Sequence, residues 1–360
     1  MASTIDFSGL TLNPEEARET NDLVFRKVWS APMLEAMASI MTGVQMDKRI
    51  PIMGRFGLLG QASPGDCSNN DSTDTIPTSE KTWLPKLISF RLIHCQEQVP
   101  DLLKFWKKSR VAANTWEEVD GEMMTFIEDK SEAATKESII RFADFGNTDA
   151  SPVGDATGDE TLTAGTDKTF FNVINGLWAQ IFADQAGSAE GYRYTIAENA
   201  LASKALQLDL AADAAILAMR AMYDNIAPEA FDGSDLRFQM TRTMFSNWQA
   251  FLEDKSLAFT LTQAETKSGT DGWTYRGIPI VVRNDWDRII KSYYDLGATY
   301  YLPHRIVLAD LNNIPIGTSD TESFDTLKSH FDATTEKHYL KVAYRLDRKV
   351  LLDEEIASAY

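Results

Sequence analysis

Apolar positions recur at helical spacing in some stretches of the chain and alternate with polar ones in others. The longest helical stripe runs through Trp116, Val119, Met123, Phe126 and Ile127, lapses across the polar EDKSEAATKES, and resumes at Ile139, Ile140 and Phe142. It predicts one helix over about residues 116–142, longer than globular helices usually are and solvated in its middle. Such a helix is a strut packed at both ends. Before it, KRIPIMG and KTWLPKLISFRLI are extended and flank the polar GQASPGDCSNNDSTDTIPTSE. This predicts a long hairpin with a broad tip, interrupted at Pro85. It has too few apolar residues to fold alone and is expected to lie on something else, another subunit being the candidate. The first 43 residues read as an arm with two short helices. NPEEA supplies Asn13 as N-cap and Pro14 at the first helical position, and APMLEAMASIM gives an apolar helix stopped by Gly43.

Residues 146–168 carry almost no large apolar side chain and are expected to be a mobile loop or domain boundary. A compact region then runs from Thr169 to about Gly317. Helices are expected near FFNVINGLWAQIF, AADAAILAMRAMYDNI and RTMFSNWQAFLE, and strands in GWTYRGIPIVVRNDWD and HRIVLAD. FDTLKSHFD reads as a short helix. Two alternating strands, KHYLKVAYRLD and KVLLDEEIASAY, close the sequence. No fixed-period repeat is evident, and the fold class is α+β.

Composition narrows the function. The 360 residues carry 53 acidic and 35 basic side chains, a net charge of −18. A nucleic-acid binder normally shows a basic footprint, and the only compact basic cluster, FWKKSR from Phe105 to Arg110, reads as a solvated helix end. No apolar run approaches the roughly 20 residues that span a bilayer, and MASTIDFSGL lacks the regions of a secretory signal. The chain is expected to be cytosolic when made. Cys67 and Cys95 form no CxxC pair and are expected to be free thiols.

Candidate chemistry is thin. Gly54, Gly57 and Gly60 are spaced GxxGxxG, and the following QASPGDCSNN cannot open the helix a dinucleotide site needs. His330 and His338, with Asp332 and Glu336 between them, allow a metal site to be imagined, but polar surface histidines are the commoner explanation. His94 and Cys95 are neighbours on an extended segment and should face opposite ways, which disfavours a catalytic pair. Asp149, Asp155 and Asp159 lack the ligand spacing of an EF-hand. Asp285 and Asp287 are expected to alternate along a strand end and share a face, with Arg283 and Arg288 close enough to neutralise them. No catalytic, cofactor-binding or metal residue is assigned, and no cofactor is expected.

The order of parts resembles the major capsid protein of tailed bacteriophages, the Hong Kong 97-type fold. YRGIPIVVRNDWD looks like that family's Y-x-G-x-P-I strand, PHRIVLADLNNIPIGTSD like its strand, asparagine and Gly-Thr/Ser-Asp turn, and KVLLDEEIASAY like its closing strand. EKTWLPKLISFRLIHCQEQVPDLLKFW with the helix after it is similar to capsid proteins of phages of Bacteroidetes-type hosts. The likeness covers most of the chain from about residue 20.

It implies an N-terminal arm (1–47), an extended E-loop hairpin (48–92), a peripheral domain with the spine helix (93–168), an axial domain (169–332) and C-terminal strands returning to the peripheral domain (333–360). It also implies a non-enzymatic subunit that assembles with itself as pentamers and hexamers into an icosahedral shell around double-stranded DNA. Separate scaffold, portal and decoration proteins are candidate partners, no membrane is involved, and the location is the virion after assembly in the host cytoplasm. Two alternatives stand beside this. One is an encapsulin-like compartment; the other is an acidic metal-dependent hydrolase using Asp285 and Asp287 with His304 or Asp310.

Overall fold

The structure is a computed structural model and describes residues 36–53, 76, 78–95, 134–155, 158–187, 191–254, 273–318, 328–332 and 337–360. Along the chain come β1 (Ile40–Met41), β2 (Arg49–Met53), β3 (Thr78–Thr82) and β4 (Lys86–Cys95). Helix α1 follows over residues 134–145, then β5 (Ala150–Pro152), β6 (Asp159–Leu162), α2 (Leu177–Gly187) and β7 (Tyr192–Tyr194). Next are α3 (Lys204–Leu208), α4 (Ala214–Asn225), β8 (Leu236–Met240), α5 (Arg242–Asp254), β9 (Thr274–Tyr275), β10 (Ile278–Val282) and α6 (Asn284–Tyr293). Strands β11 (Ile306–Asp310), β12 (Ile316–Gly317), β13 (Lys328–Asp332), β14 (Lys337–Arg348) and β15 (Ala357–Ala359) complete the order.

A six-stranded mixed sheet in the order β7-β15-β11-β8-β10-β9 is the centre of the molecule. Its inner strands β15 and β11 are buried at every position, and the period of two splits the β11 side chains between two cores. Ile306 and Leu308 of β11 join Phe238, Met240, Ile280, Ala357 and Ala359 beneath Ala218 and Met222 of α4 and Met244 and Trp248 of α5. Val307 and Ala309 face the other way, into a core with Leu177, Trp178 and Ile181 of α2 and Trp286, Ile289 and Ile290 of α6. Helices therefore cover both faces, and the α+β class holds.

A second, five-stranded sheet runs β1-β12-β14-β13, with β4 also paired to β14. The β14–β4 ladder is antiparallel and joins Lys337 with Cys95 at one end and Leu346 with Lys86 at the other. Its core holds Ile88, Val342, Tyr344 and Leu346 against Ile139, Phe142 and Ala143 of α1. On the opposite side of α1, Ile140 and Phe145 join the α2–α6 core, so one helix end is buried between two cores.

The expected hairpin forms in part: β2 pairs antiparallel with β3 from Arg49–Thr82 to Met53–Thr78, so that TSE is strand, whereas Lys86–Cys95, expected as the returning strand, pairs with β14 after a break at residues 83–85. Its root is fastened. Trp83 N–H donates to Lys48 O at 2.9 Å, and Lys81 reaches Val350 O at 2.8 Å and Asp353 at 2.7 Å. The Trp83 ring lies where a side chain on residue 317 would be, 2.6 Å from that position, so only glycine fits there.

Several expectations are corrected. Residues 37–43 are not helical; Ile40 and Met41 pair with Ile316 and Gly317 as a short strand. Residues 146–155 and 158–168 are folded instead of being a loose boundary, with β5 and β6 paired and Ala150, Ser151 and Leu162 buried. Residues 328–332 are a strand, because β14 offers an open edge that a short polar segment can join. FFNVIN precedes the helix, which starts at Leu177. In the closing segment only 357–359 are a strand, and they enter the six-stranded sheet while β14 stays in the five-stranded one. The helices at residues 13–17 and 31–35, the strut helix before residue 134, the Phe105–Arg110 cluster, Cys67 and Gly54, Gly57 and Gly60 lie outside the described residues.

Candidate functional site

Five segments far apart in sequence meet at one buried point. Helix α1 ends with Asp144 turned inward between Ala143 and Phe145. Strand β8 places Gln239 on the face opposite Phe238 and Met240. Strand β10 is followed by Arg283, whose N–H still donates to Met240 O at 2.8 Å, and the chain then turns into α6. Arg348 arrives at the end of β14, opposite Ile316. The chain near Met37 supplies a carbonyl.

Arg283 is 0% exposed and uses its whole guanidinium. Nε donates to Asp285 Oδ1 at 3.0 Å, Nη1 to Gln239 Oε1 at 2.6 Å, and Nη2 to Asp285 Oδ2 at 2.5 Å and to Asp144 Oδ2. Asp144 also accepts from Arg348 Nη1 at 2.7 Å and Trp286 Nε1 at 2.8 Å. Gln239 passes the network on by donating to Met37 O at 2.8 Å. Two cations thus face two carboxylates without water access, the condition under which a buried ion pair is tolerated.

Electrostatics follow the contacts. Burial pushes the Asp144 carboxyl up, but Arg283, Arg348 and the Trp286 N–H together hold it below the usual carboxylate range. Burial lowers Arg283, and Asp144 and Asp285 more than reverse this, so it lies above the ordinary arginine value. Arg348 has one carboxylate and a like-charged neighbour; burial brings it down to about 10. Its Nε and Nη2 have no hydrogen-bond partner among the described residues.

A second buried arginine is held differently. Arg305 is 1% exposed and donates only to the backbone, from Nε to Leu302 O at 2.8 Å and from Nη2 to Tyr301 O at 3.2 Å. Five rings surround its guanidinium: Trp178 at 4.9 Å, Phe145 at 5.2 Å, Phe182 at 5.5 Å, Tyr294 at 5.8 Å and Tyr301 at 5.9 Å. Burial lowers it to about 10.

The sequence placed Asp285 and Asp287 on a shared strand face. In the structure both lie in the first turn of α6, and they have separate partners. Asp285 belongs to the Arg283 junction. Asp287 accepts the Arg242 N–H at 2.7 Å and caps the start of α5. Burial pushes its carboxyl up to about 6 against the backbone N–H bonds and Lys291.

His304 is buried between Thr243 Oγ1, 2.8 Å from Nδ1, and Gln207 O, 2.6 Å from Nε2. A carbonyl only accepts, so Nε2 carries the hydrogen and Nδ1 accepts from Thr243. Neither nitrogen has a lone pair left for a metal. Asp310 accepts from Asp235 N–H at 3.0 Å and Asn312 N–H at 2.7 Å. The four side chains of the hydrolase reading are each committed to a different partner.

Asp155 pairs with Lys168 at 2.9 Å, while burial and the charge of Asp149 raise Asp159. His330 and His338 lie on paired strands, with His338 opposite both Phe331 and His94. Among the described residues no group of three or more His, Cys, Asp and Glu side chains is placed to hold a metal. No described helix is long and apolar enough to cross a membrane.

No protein-family model matches the chain. No curated protein matches it either. Among solved structures it is similar to a chain of Gordonia phage Cozz, with a TM-score of 0.54 and 9% identity over 98% of this chain and 91% of that one. It is also similar to a chain of the capsid of Myoviridae phage XM1, with a TM-score of 0.48 and 12% identity over 98% of this chain and 99% of that one. A chain of the satellite phage P4 procapsid including size determination (Sid) protein gives 0.45 and 12% over 89% and 91%. At 9% identity the property shared with the Gordonia phage chain is the fold. The fold is α+β and Hong Kong 97-like, as the sequence resemblance implied.

Proposed function

We propose that the chain is the major capsid subunit of a tailed phage, assembling with copies of itself into a closed shell around double-stranded DNA. The observation that carries this reading is the fold shared with a phage chain across 98% of the sequence. The ordered motifs YRGIPIVVRNDWD, PHRIVLADLNNIPIGTSD and KVLLDEEIASAY add to it. So do the exposed apolar side chains in and beside the β2–β3 hairpin, Met53 at the end of β2, Met46 before it, Leu84 after β3 and Leu87 in β4, which need another surface to cover them.

In this reading residues 48–92 are the E-loop, 93–168 the peripheral domain, 169–332 the axial domain and 333–360 the closing segment, with 1–47 as an arm. The Arg283 junction is a structural rivet where these parts meet, and the chain is not an enzyme. Its partners are further copies, with scaffold, portal and decoration proteins as separate chains. Assembly occurs in the cytoplasm of a host of Bacteroidetes type. The net charge of −18 suits a container that must release its DNA.

Gel filtration and negative-stain microscopy of the purified chain test this. Pentamers, hexamers or megadalton shells are expected, and a small stable monomer that turns over a substrate overturns the reading. DNA binding should be weak and nearly insensitive to salt.

A further inference from the structure

A groove of about 470 Å³ opens beside the start of α5. Leu208 and Leu210 line it, and Arg242, Lys291, Asp209 and Asp287 surround them. Leu208 is 47% exposed and its neighbour Leu206 51%, so the lip is an uncovered apolar edge. Arg242 and Lys291 present exposed cations and Asp209 the one exposed acid of the groove, while Asp287 is buried beneath them. In a chain of net charge −18 such a place attracts acidic surface.

The complementary shape lies at the other end of α4. The turn Pro228–Asp232 exposes Phe231 at 41%, stacked edgewise on Tyr223 with centroids 5.1 Å apart. Glu229 and Asp232 lie in the same turn. Burial and the charges of Glu354, Glu229, Asp310 and Asp232 raise the Glu355 carboxyl, a sign of mutual repulsion that a cationic partner relieves. The groove adjoins the start of α4, since Asn247 on its wall accepts from Ala215 N–H at 3.0 Å. The 12 residues of α4 separate groove and knob by about 18 Å of helix. The two surfaces cannot meet within one rigid subunit; only another copy can bring them together.

We infer that the Phe231 edge of one copy docks in the Leu208–Arg242–Lys291 groove of the next. The contact is heterologous, so repetition by rotation closes a ring. This inference rests on the capsid reading and specifies one contact within it.

The test compares the full-length chain with three variants by sedimentation velocity and negative stain, with circular dichroism checking the fold. Arg242→Glu with Lys291→Glu, and Glu229→Lys with Asp232→Lys, are each expected to raise the concentration needed for rings at least tenfold. The lysines replace two acids whose charges act on Glu355, and circular dichroism decides whether the variant is folded before its assembly is compared. Combining all four changes should restore rings. If either two-residue variant assembles like wild type, or the folded four-residue variant fails to recover, the docking is overturned while the capsid reading stands. If wild type forms no oligomer, both fall.

Discussion

Arg283 and Arg305 are both buried in the α2–α6 half of the molecule, and the protein solves the cost of each in a different way. Around Arg283 the charge is cancelled by Asp144 and Asp285. Around Arg305 no ion pair forms among the described residues; ring faces and two carbonyls share the charge. Cancellation binds several chain segments into one electrostatic unit, whereas the ring box is a local arrangement. The first kind fails as a unit and the second one contact at a time.

Breaking the cancelled site should have the largest effect. Asp144→Ala leaves Arg283 and Arg348 buried with Asp285 alone, and urea denaturation should show a loss of about 3–5 kcal/mol. A loss under about 1 kcal/mol would mean that water already solvates the junction.

Asp287 sharpens the contrast, because it is a buried acid whose desolvation outweighs the backbone N–H groups and the Lys291 charge that favour its ionised form. Its folded pKa of about 6 lies above its ordinary 3.8, so the protonated form is the one that folding favours. Its contribution is fully present below about pH 4 and is lost as pH rises through about 6. Asp287→Asn should therefore be more stable than wild type by about 1–3 kcal/mol at neutral pH, with the advantage vanishing toward pH 4. Melting temperatures of both proteins across that range check it; a constant difference would show that Asp287 does not titrate there.

Arg305→Met should cost only about 1–2 kcal/mol, since two hydrogen bonds to carbonyls are lost while the desolvation of a lone cation is relieved. A cost equal to that of Asp144→Ala would erase the distinction. Smallest is Lys81→Ala, at about 0.5–1 kcal/mol, because the Lys81–Asp353 pair is partly solvated. Its signature is faster proteolysis of the β2–β3 hairpin with the remainder protected.

Local pattern revealed much of this fold. The alternation in RIPIM and in KLISF, the helical spacing in AAILAMRAMYDN and the apolar run IVLAD all became the elements they predicted. The error at NDWDRII had a readable cause: Trp286, Ile289, Ile290 and Tyr293 have helical spacing, and the acidic first turn suits a helix start, yet the preceding β-branched run dominated. Strand β13 was hidden because its partner, not its composition, makes it a strand. The junction was invisible for a stronger reason. Asp144 lies 139 residues from Arg283 and 204 from Arg348, and no short-range pattern records such a pairing. The Asp in RFADFG, a charged residue interrupting an otherwise apolar helix end, was the local hint.

The position of β15 has a consequence for timing. Residues 357–359 lie between β7 and β11, inside the six-stranded sheet, and they leave the ribosome after every other strand of that sheet. Until they do, β7 has no neighbour and the edge of β11 is open. At synthesis rates of about 5–20 residues per second, a nascent chain stays incomplete in this sheet until residues 357–359 have emerged. Chains that still lack those residues would thus be poor building blocks, and any ordered association of subunits would begin only once this strand has been threaded home.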